Sequence, residues 1–478
     1  MSFLDYSIIA FYLLVLLYLG FRRSPGADKN LEEYVLSGRR LSLPAFVATL
    51  VTTWYGGILG VGEFTYSYGV SNWLVFGVPY YLYAMIFAFF LAKRARREKL
   101  LTIPEQLERS YGKTAGIIGA IFVFIFSTPA PYVLMLGVLC EILFAWPLWL
   151  GVCAGTLLSI VYSFRGGFAA VVRTEKLQFI LMYAGFALIL FFAVVKFGGW
   201  DFLQAKLPAS HFAWHGGNSA LFILVWYFIA MSTLVDPTFY QRCFAAQDER
   251  TARNGILLSV LCWAVFDFMT TATGLYARAI LPQLTNAMEA YPRLALGLLP
   301  EGARGIFYVA MFAIIMSTVD GFAFTAAITL GNDILAKMSF SRDKFFLLRN
   351  KTSRKQAFVE ERLLAETEIT HLTQFSLVLT FALASVVALW AQSVVAIWYQ
   401  LGTIVTPALL FPLASSFSEK WRMRPRIALA SMLTSASVTS VWLWNQNGGR
   451  YWWGVEPIYA GLACATIFFI LGRKSTGA

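Results

Sequence analysis

Two stretches of this sequence put chemistry-bearing side chains where the neighbours are otherwise apolar. In Ala313-Ile314-Ile315-Met316-Ser317-Thr318-Val319-Asp320-Gly321, adjacent hydroxyls and a carboxylate sit in the middle of a greasy run. Thr49-Leu50-Val51-Thr52-Thr53-Trp54-Tyr55-Gly56-Gly57-Ile58-Leu59-Gly60-Val61-Gly62 carries four glycines and three threonines. Ser and Thr in helices often bond back to their own carbonyls, and the Gly56/Gly60 spacing also suits close helix packing. Glycine at this density nevertheless loosens a helix. An interrupted helix in a bilayer frees carbonyls that can hold a cation. Hydroxyls beside free carbonyls make a neutral, hard-oxygen site, which suits a monovalent cation better than the carboxylate-rich cage of calcium.

The other ionisable groups inside apolar runs are Glu63, Glu141, Glu175, Asp236 and Asp267. Such groups cost several kcal/mol unless they face a cavity or a partner. Glu63 and Glu141 can lie near the outer ends of their runs, and Arg242 is placed to pair with Asp236. The five cysteines form no CxxC pair and the three histidines are scattered, so a zinc or haem centre lacks convergent ligands. No histidine falls mid-run, and Ser317 with Asp320 has no base. The sequence therefore reads as something other than an enzyme.

The elements that must position these residues are membrane helices. The 478 residues are 58% hydrophobic, 17% aromatic and only 13% charged, with mean hydropathy +0.65. So few charges cannot cover a soluble surface. Bilayer-length apolar runs need about 20 residues each. Thirteen appear, near 5–21, 44–68, 72–92, 115–143, 147–164, 168–196, 219–236, 254–280, 302–335, 370–391, 395–416, 426–444 and 455–472. Pro147 marks the break in the over-long block 115–164. The first run lacks a basic start and a small-residue cleavage site, so it reads as a retained helix. The expectation is an all-α integral membrane protein, a single transmembrane domain over 1–478, for which the resemblance given below implies a transporter.

The net charge of +12 does not indicate nucleic acid, because the basic residues lie in short breaks between runs. With the N-terminus outside, all but six of the 38 Lys and Arg fall on the inner side, as the positive-inside rule requires. The exceptions are Lys196, Lys206, Arg278, Arg293, Arg304 and Arg450. The C-terminus is then cytoplasmic, in a cell (inner or plasma) membrane. The inner loop 336–369 is basic and then acidic, and reads as a short amphipathic helix at the membrane surface.

Five stretches together resemble the sodium/solute symporter family, which includes sodium/glucose, sodium/proline and sialic acid transporters. They are Leu31-Glu32-Glu33-Tyr34-Val35-Leu36-Ser37-Gly38-Arg39-Arg40; Thr102-Ile103-Pro104-Glu105-Gln106-Leu107-Glu108-Arg109-Ser110-Tyr111-Gly112; the segment Gly166 to Gln178; Asp236-Pro237-Thr238-Phe239-Tyr240-Gln241-Arg242-Cys243-Phe244-Ala245-Ala246; and Ile315 to Asp320 with Asn332-Asp333-Ile334. The resemblance implies the leucine-transporter fold. Spans two to eleven would form a five-plus-five inverted repeat, with 44–196 as the first repeat and 219–416 as the second. Helix 5–21 and helices 426–472 would be additional. It also implies a sodium site formed by Leu50, Thr53, Ile314, Ser317 and Thr318. Thr52, Glu175 and Asp320 would belong to an ion pathway or second ion. Glu175 stands where many members carry Asp, and Gly321 and Phe324 depart from the usual Ser and Asn. Solute would meet Trp54, Tyr55, Gly56, Gly57, Tyr80, Tyr81 and Trp226. Gly57 replaces a sugar-binding Gln, which lowers a sugar reading.

The implied activity is sodium-coupled import of a small organic solute by alternating access. Sodium is the coupled ion, the lipid bilayer the partner, and no oligomer is required. The rival readings are a proton-coupled transporter of the same fold, with Glu175 or Asp320 titrating, and a membrane solute sensor.

Overall fold

The computed structural model describes residues 1–21, 31–339, 354–391, 393–446 and 451–473. Among them no β-strand forms, as a bilayer demands of any chain that does not close a barrel. The apolar helices are α1 (Phe3–Phe21), α2 (Leu43–Tyr68), α3 (Trp73–Glu98), α4 (Lys113–Phe144), α5 (Leu148–Val161), α6 (Gly166–Phe197), α7 (Ala220–Ala245), α8 (Glu249–Ile280), α9 (Ala303–Ala336), α10 (Thr367–Trp390), α11 (Val394–Ser416), α12 (Pro425–Trp444) and α13 (Pro457–Gly472). Each overlaps one run read from the sequence. Eleven are long and apolar enough to cross a membrane, while α5 and α13 are shorter. The protein is a multi-pass membrane protein. α3 and α7 run on past their apolar runs into basic turns that remain helical to Glu98 and Ala245.

Proline and glycine set the ends. Pro44, Pro131 and Pro457 occupy first-turn positions, where a missing N–H costs nothing. Pro147 adopts extended backbone ahead of α5. A second interruption was not anticipated: α4 stops at Phe126 and restarts at Ala130, with Pro129 between. Proline lacks the helical N–H and crowds the preceding turn. Of the segment 336–369, expected from the sequence as an inner loop, residues 340–353 lie outside the described residues. Arg354–Trp390 forms one helix that leads into α10.

Burial separates the helices into a centre and a rim. The most apolar windows of α2 and α9 are 94% buried, against 28% for α1 and 33% for α6 and α12. Large apolar side chains such as Phe89, Phe90, Leu157, Phe191, Phe268 and Ile470 are exposed on rim helices. So many exposed large apolar side chains on long apolar helices suit a lipid surrounding. The polar stretches singled out above are therefore on the two helices most shielded from it. α1 is tied to the start of α9 by the fully buried Asp5, whose Oδ1 accepts from the N–H groups of Gly302 (2.9 Å) and Gly305 (3.0 Å). Those donors have no partner within their own helix.

Candidate functional site

α2 tightens at its middle. Helical geometry runs from Leu43 to Trp54, gives way to a 3-10 turn over Tyr55–Gly57, and resumes at Ile58. The break is a tightened turn and not an unwound segment. The Tyr55 N–H bonds the Thr52 carbonyl. That carbonyl also accepts from Ser317 Oγ (3.0 Å) and Thr318 Oγ1 (3.3 Å) of α9. The same hydroxyls reach the Ile314 carbonyl at 2.7 and 3.3 Å. All of these residues are buried. Gly56 makes the approach possible, because a Cβ there would overlap the Thr318 side chain. The Thr52 hydroxyl turns back to Ala48 O at 2.9 Å. Leu50 and Thr53 lie on either side of Thr52 in sequence and are buried on the same helix, and the Thr53 hydroxyl is taken up by Glu175 and Arg242. Two hydroxyls and two carbonyls thus converge without a formal charge. Each hydroxyl keeps lone pairs that can face an ion once its proton rotates away.

Beside the cluster lies a buried ion pair that the sequence did not reveal. Thr53 Oγ1 donates to Glu175 Oε1 at 2.6 Å. Arg242, carried by the C-terminal half of α7, donates from one NH2 nitrogen to Thr53 Oγ1 (2.7 Å) and Glu175 Oε1 (3.2 Å). Both charged side chains have zero exposure. The arginine pairs with Glu175 and not with Asp236, the partner expected from sequence. The departure at Gly321 has a local reason, since a Cβ there would come within 2.8 Å of Thr53 and 3.3 Å of Arg242. Asp320 is buried on α9 within electrostatic reach of the Tyr12 hydroxyl of α1.

α7 is also interrupted. It tightens over Ala230–Leu234, extends at Asp236 and restarts at Pro237. Asp236 caps the new helix, with Oδ1 accepting from the Thr238 N–H (2.7 Å) and Thr238 Oγ1 (2.6 Å). Asp followed by Pro is a strong helix start. Between the two breaks lies a cavity of about 140 Å3. Five of the seven expected solute contacts line it: Trp54, Tyr55, Gly57, Tyr80 and Trp226. Gly56 faces Thr318 instead, and the Tyr81 hydroxyl donates to Asp267 while accepting from Trp73 Nε1 at 3.1 Å. Tyr132, Asp236, Asp267 and Trp398 are also in the lining without having been singled out as solute contacts. A larger vestibule of about 1000 Å3, lined by Glu63, Tyr399 and Trp444 among others, shares Trp226 with the cavity.

The model of the "Sodium:solute symporter family" matches residues 34–434. The chain belongs to the sodium:solute symporter family. Members of this family are transporters, not enzymes. A sodium/glucose cotransporter of Vibrio parahaemolyticus is 24% identical over 70% of this chain and 69% of its own length. A sodium/pantothenate symporter of Escherichia coli is 23% identical over 95% and 92%. Among solved structures, the substrate-bound outward-open state of a Na+-coupled sialic acid symporter superposes with TM-score 0.76 at 15% identity, covering 99% of both chains. Mhp1, a nucleobase-cation-symport-1 family transporter, gives 0.51 at 12% identity over 94% of both chains. The fold is that of sodium-coupled symporters.

Proposed function

We propose that this protein imports a small organic solute together with sodium by alternating access. The observation that carries the reading is the convergence of the Ser317 and Thr318 hydroxyls on the Thr52 and Ile314 carbonyls, at the interruption of the most buried helix pair. Sodium held there, with Leu50 and Thr53 contributing from α2, ties α2 to α9 and stabilises the arrangement that completes the solute cavity. Ion and solute then couple because both favour the same conformation. A membrane potential of 100 mV adds about 2.3 kcal/mol per inward charge, close to fiftyfold accumulation.

In this reading all thirteen helices cross the bilayer, with the N-terminus outside. α2–α6 and α7–α11 are the inverted repeats, and α1, α12 and α13 are additions. The vestibule then faces outward and the Arg242–Glu175 pair stands on the cytoplasmic side of the sodium cluster, as a bar across the inward route. Glu175, held by both Arg242 and Thr53, is poorly placed to carry protons, which favours sodium over a proton as the driving ion. The test is uptake into proteoliposomes. A sodium gradient is expected to drive accumulation, and Ser317→Ala or Thr318→Ala to raise the sodium needed for half-maximal rate about tenfold, the loss of one hydrogen-bond-strength contact. Uptake driven by a pH step without sodium would refute the assignment.

A further inference from the structure

The solute cavity has a charge pattern that constrains what fits it. Two carboxylates, Asp236 and Asp267, reach its wall from different helices and are only 3% and 4% exposed. Neither has a Lys or Arg within ion-pair distance among the described residues. Arg242, the basic group that reaches Asp236 electrostatically, is committed to Glu175. The protein meets these acids with neutral donors, among them the Thr238 N–H and hydroxyl at Asp236 and the Tyr81 hydroxyl at Asp267. Around them stand electron-rich rings, with Trp54, Tyr80, Tyr132 and Trp226 on the same wall. Trp54 is held by Tyr80 and Trp263, ring centroids 5.1 and 5.4 Å away, so its face is fixed rather than adaptable. The vestibule continues the pattern: its described lining includes the carboxylate of Glu63 and neither Lys nor Arg.

Buried acids without a cation, ringed by aromatic faces, form a site for a positively charged guest. The carboxylates supply charge, and the rings attract a cation through their quadrupoles. The same wall repels a carboxylate-bearing solute, since burying an anion beside two unpaired acids has no compensating partner. We infer that the cotransported solute is an organic ammonium ion, a small amine or quaternary ammonium compound without a carboxylate. This rests on the symport reading and narrows its substrate. An ammonium solute entering with sodium carries twice the charge per solute that sodium alone would carry with a neutral one.

The test uses the full-length protein, purified and then reconstituted. Choline and ethanolamine serve as cationic probes, and dimethylbutanol, the uncharged carbon isostere of choline, as the neutral match. Glucose and pantothenate represent neutral and anionic solutes. Thermal stabilisation is read with and without sodium, and charge per solute by solid-supported-membrane currents. The expected result is stabilisation by choline or ethanolamine at concentrations at least tenfold below those needed for the isostere, with the doubled charge ratio. Asp267→Asn and Asp236→Asn should each erode that preference by tenfold or more, and the wild-type comparison of choline with its isostere stands even where a variant folds poorly. Equal response to choline and isostere, response only to glucose or pantothenate, or no response to either ammonium probe while sodium itself stabilises the protein would each overturn the inference and leave sodium symport intact. Failure of sodium to stabilise the wild type would instead count against the symport reading, with the charge preference still read from the sodium-free arm.

Discussion

Two sets of buried acids sit near the middle of this molecule and are treated in opposite ways. Glu175 is neutralised internally by Arg242, with Thr53 bridging the two. Asp236 and Asp267 receive only hydroxyl and backbone donors and face a cavity. A buried charge must be paired somewhere. Where the chain supplies the partner, the result is a fixed strut between α2, α6 and α7. Where it does not, the proposed ammonium solute is the partner that comes and goes. The uncharged oxygens at Thr52, Ile314, Ser317 and Thr318 lie next to the strut and are a third kind of arrangement, the one proposed to hold sodium.

The sharpest way to break this contrast is to make Glu175 resemble Asp267. Arg242→Gln removes the internal cation and leaves a buried carboxylate alone, which typically costs about 3–5 kcal/mol. The melting temperature in detergent should fall steeply, and the double variant Glu175→Gln/Arg242→Gln should recover much of it. A single variant as stable as the parent would show that the strut is not structural.

The cavity side can be challenged by filling it. A Cβ on Gly57 would overlap the Trp398 ring, and overpacking of this kind costs roughly 1–3 kcal/mol. Gly57→Ala should depress solute uptake strongly and shift sodium-induced stabilisation little. Equal loss of both would place Gly57 in the ion site rather than the solute site.

Asp5 offers a milder comparison, a fully buried acid held by backbone N–H groups at the start of α9. Asp5→Ala should lower stability by about 1–2 kcal/mol, the usual worth of a capping contact, measurable as a modest drop in melting temperature. An unchanged value would mean that α1 contributes nothing to holding α9.

The smallest effect concerns a base. His211, in the loop between α6 and α7, is buried and bonds the Tyr66 carbonyl at 3.1 Å. Burial holds its imidazole below the usual 6.5, with Arg278 adding repulsion. The neutral ring is favoured in the folded state, so its contribution is present above about pH 6.5 and is lost as the pH falls. Protection of the loop amides, measured relative to their intrinsic exchange rates at each pH, should fall under mild acid, and His211→Gln should flatten that dependence.

Much of this architecture was legible from the chain. Thirteen apolar runs located the helices because a bilayer leaves a long greasy segment no other structure, and glycine density in 49–62 with the hydroxyl pair at 317–318 marked the two helices that meet at the centre. Local punctuation was readable too, although Pro129 in α4 was passed over in favour of Pro147. The long-range pairings were not readable. Glu175 and Arg242 lie 67 residues apart and Tyr81 and Asp267 186 apart, and nothing local specifies which buried acid receives the single nearby arginine. Arg242, six residues after Asp236, suggests the wrong partner from sequence, because the helix restarting at Pro237 brings the arginine to Glu175 of α6.

Binding of radioactive sodium to the purified protein tests the central claim most directly. The account predicts saturable binding that is lost or weakened at least tenfold in Ser317→Ala and Thr318→Ala. Absence of saturable binding, or identical binding in wild type and both variants, would contradict it.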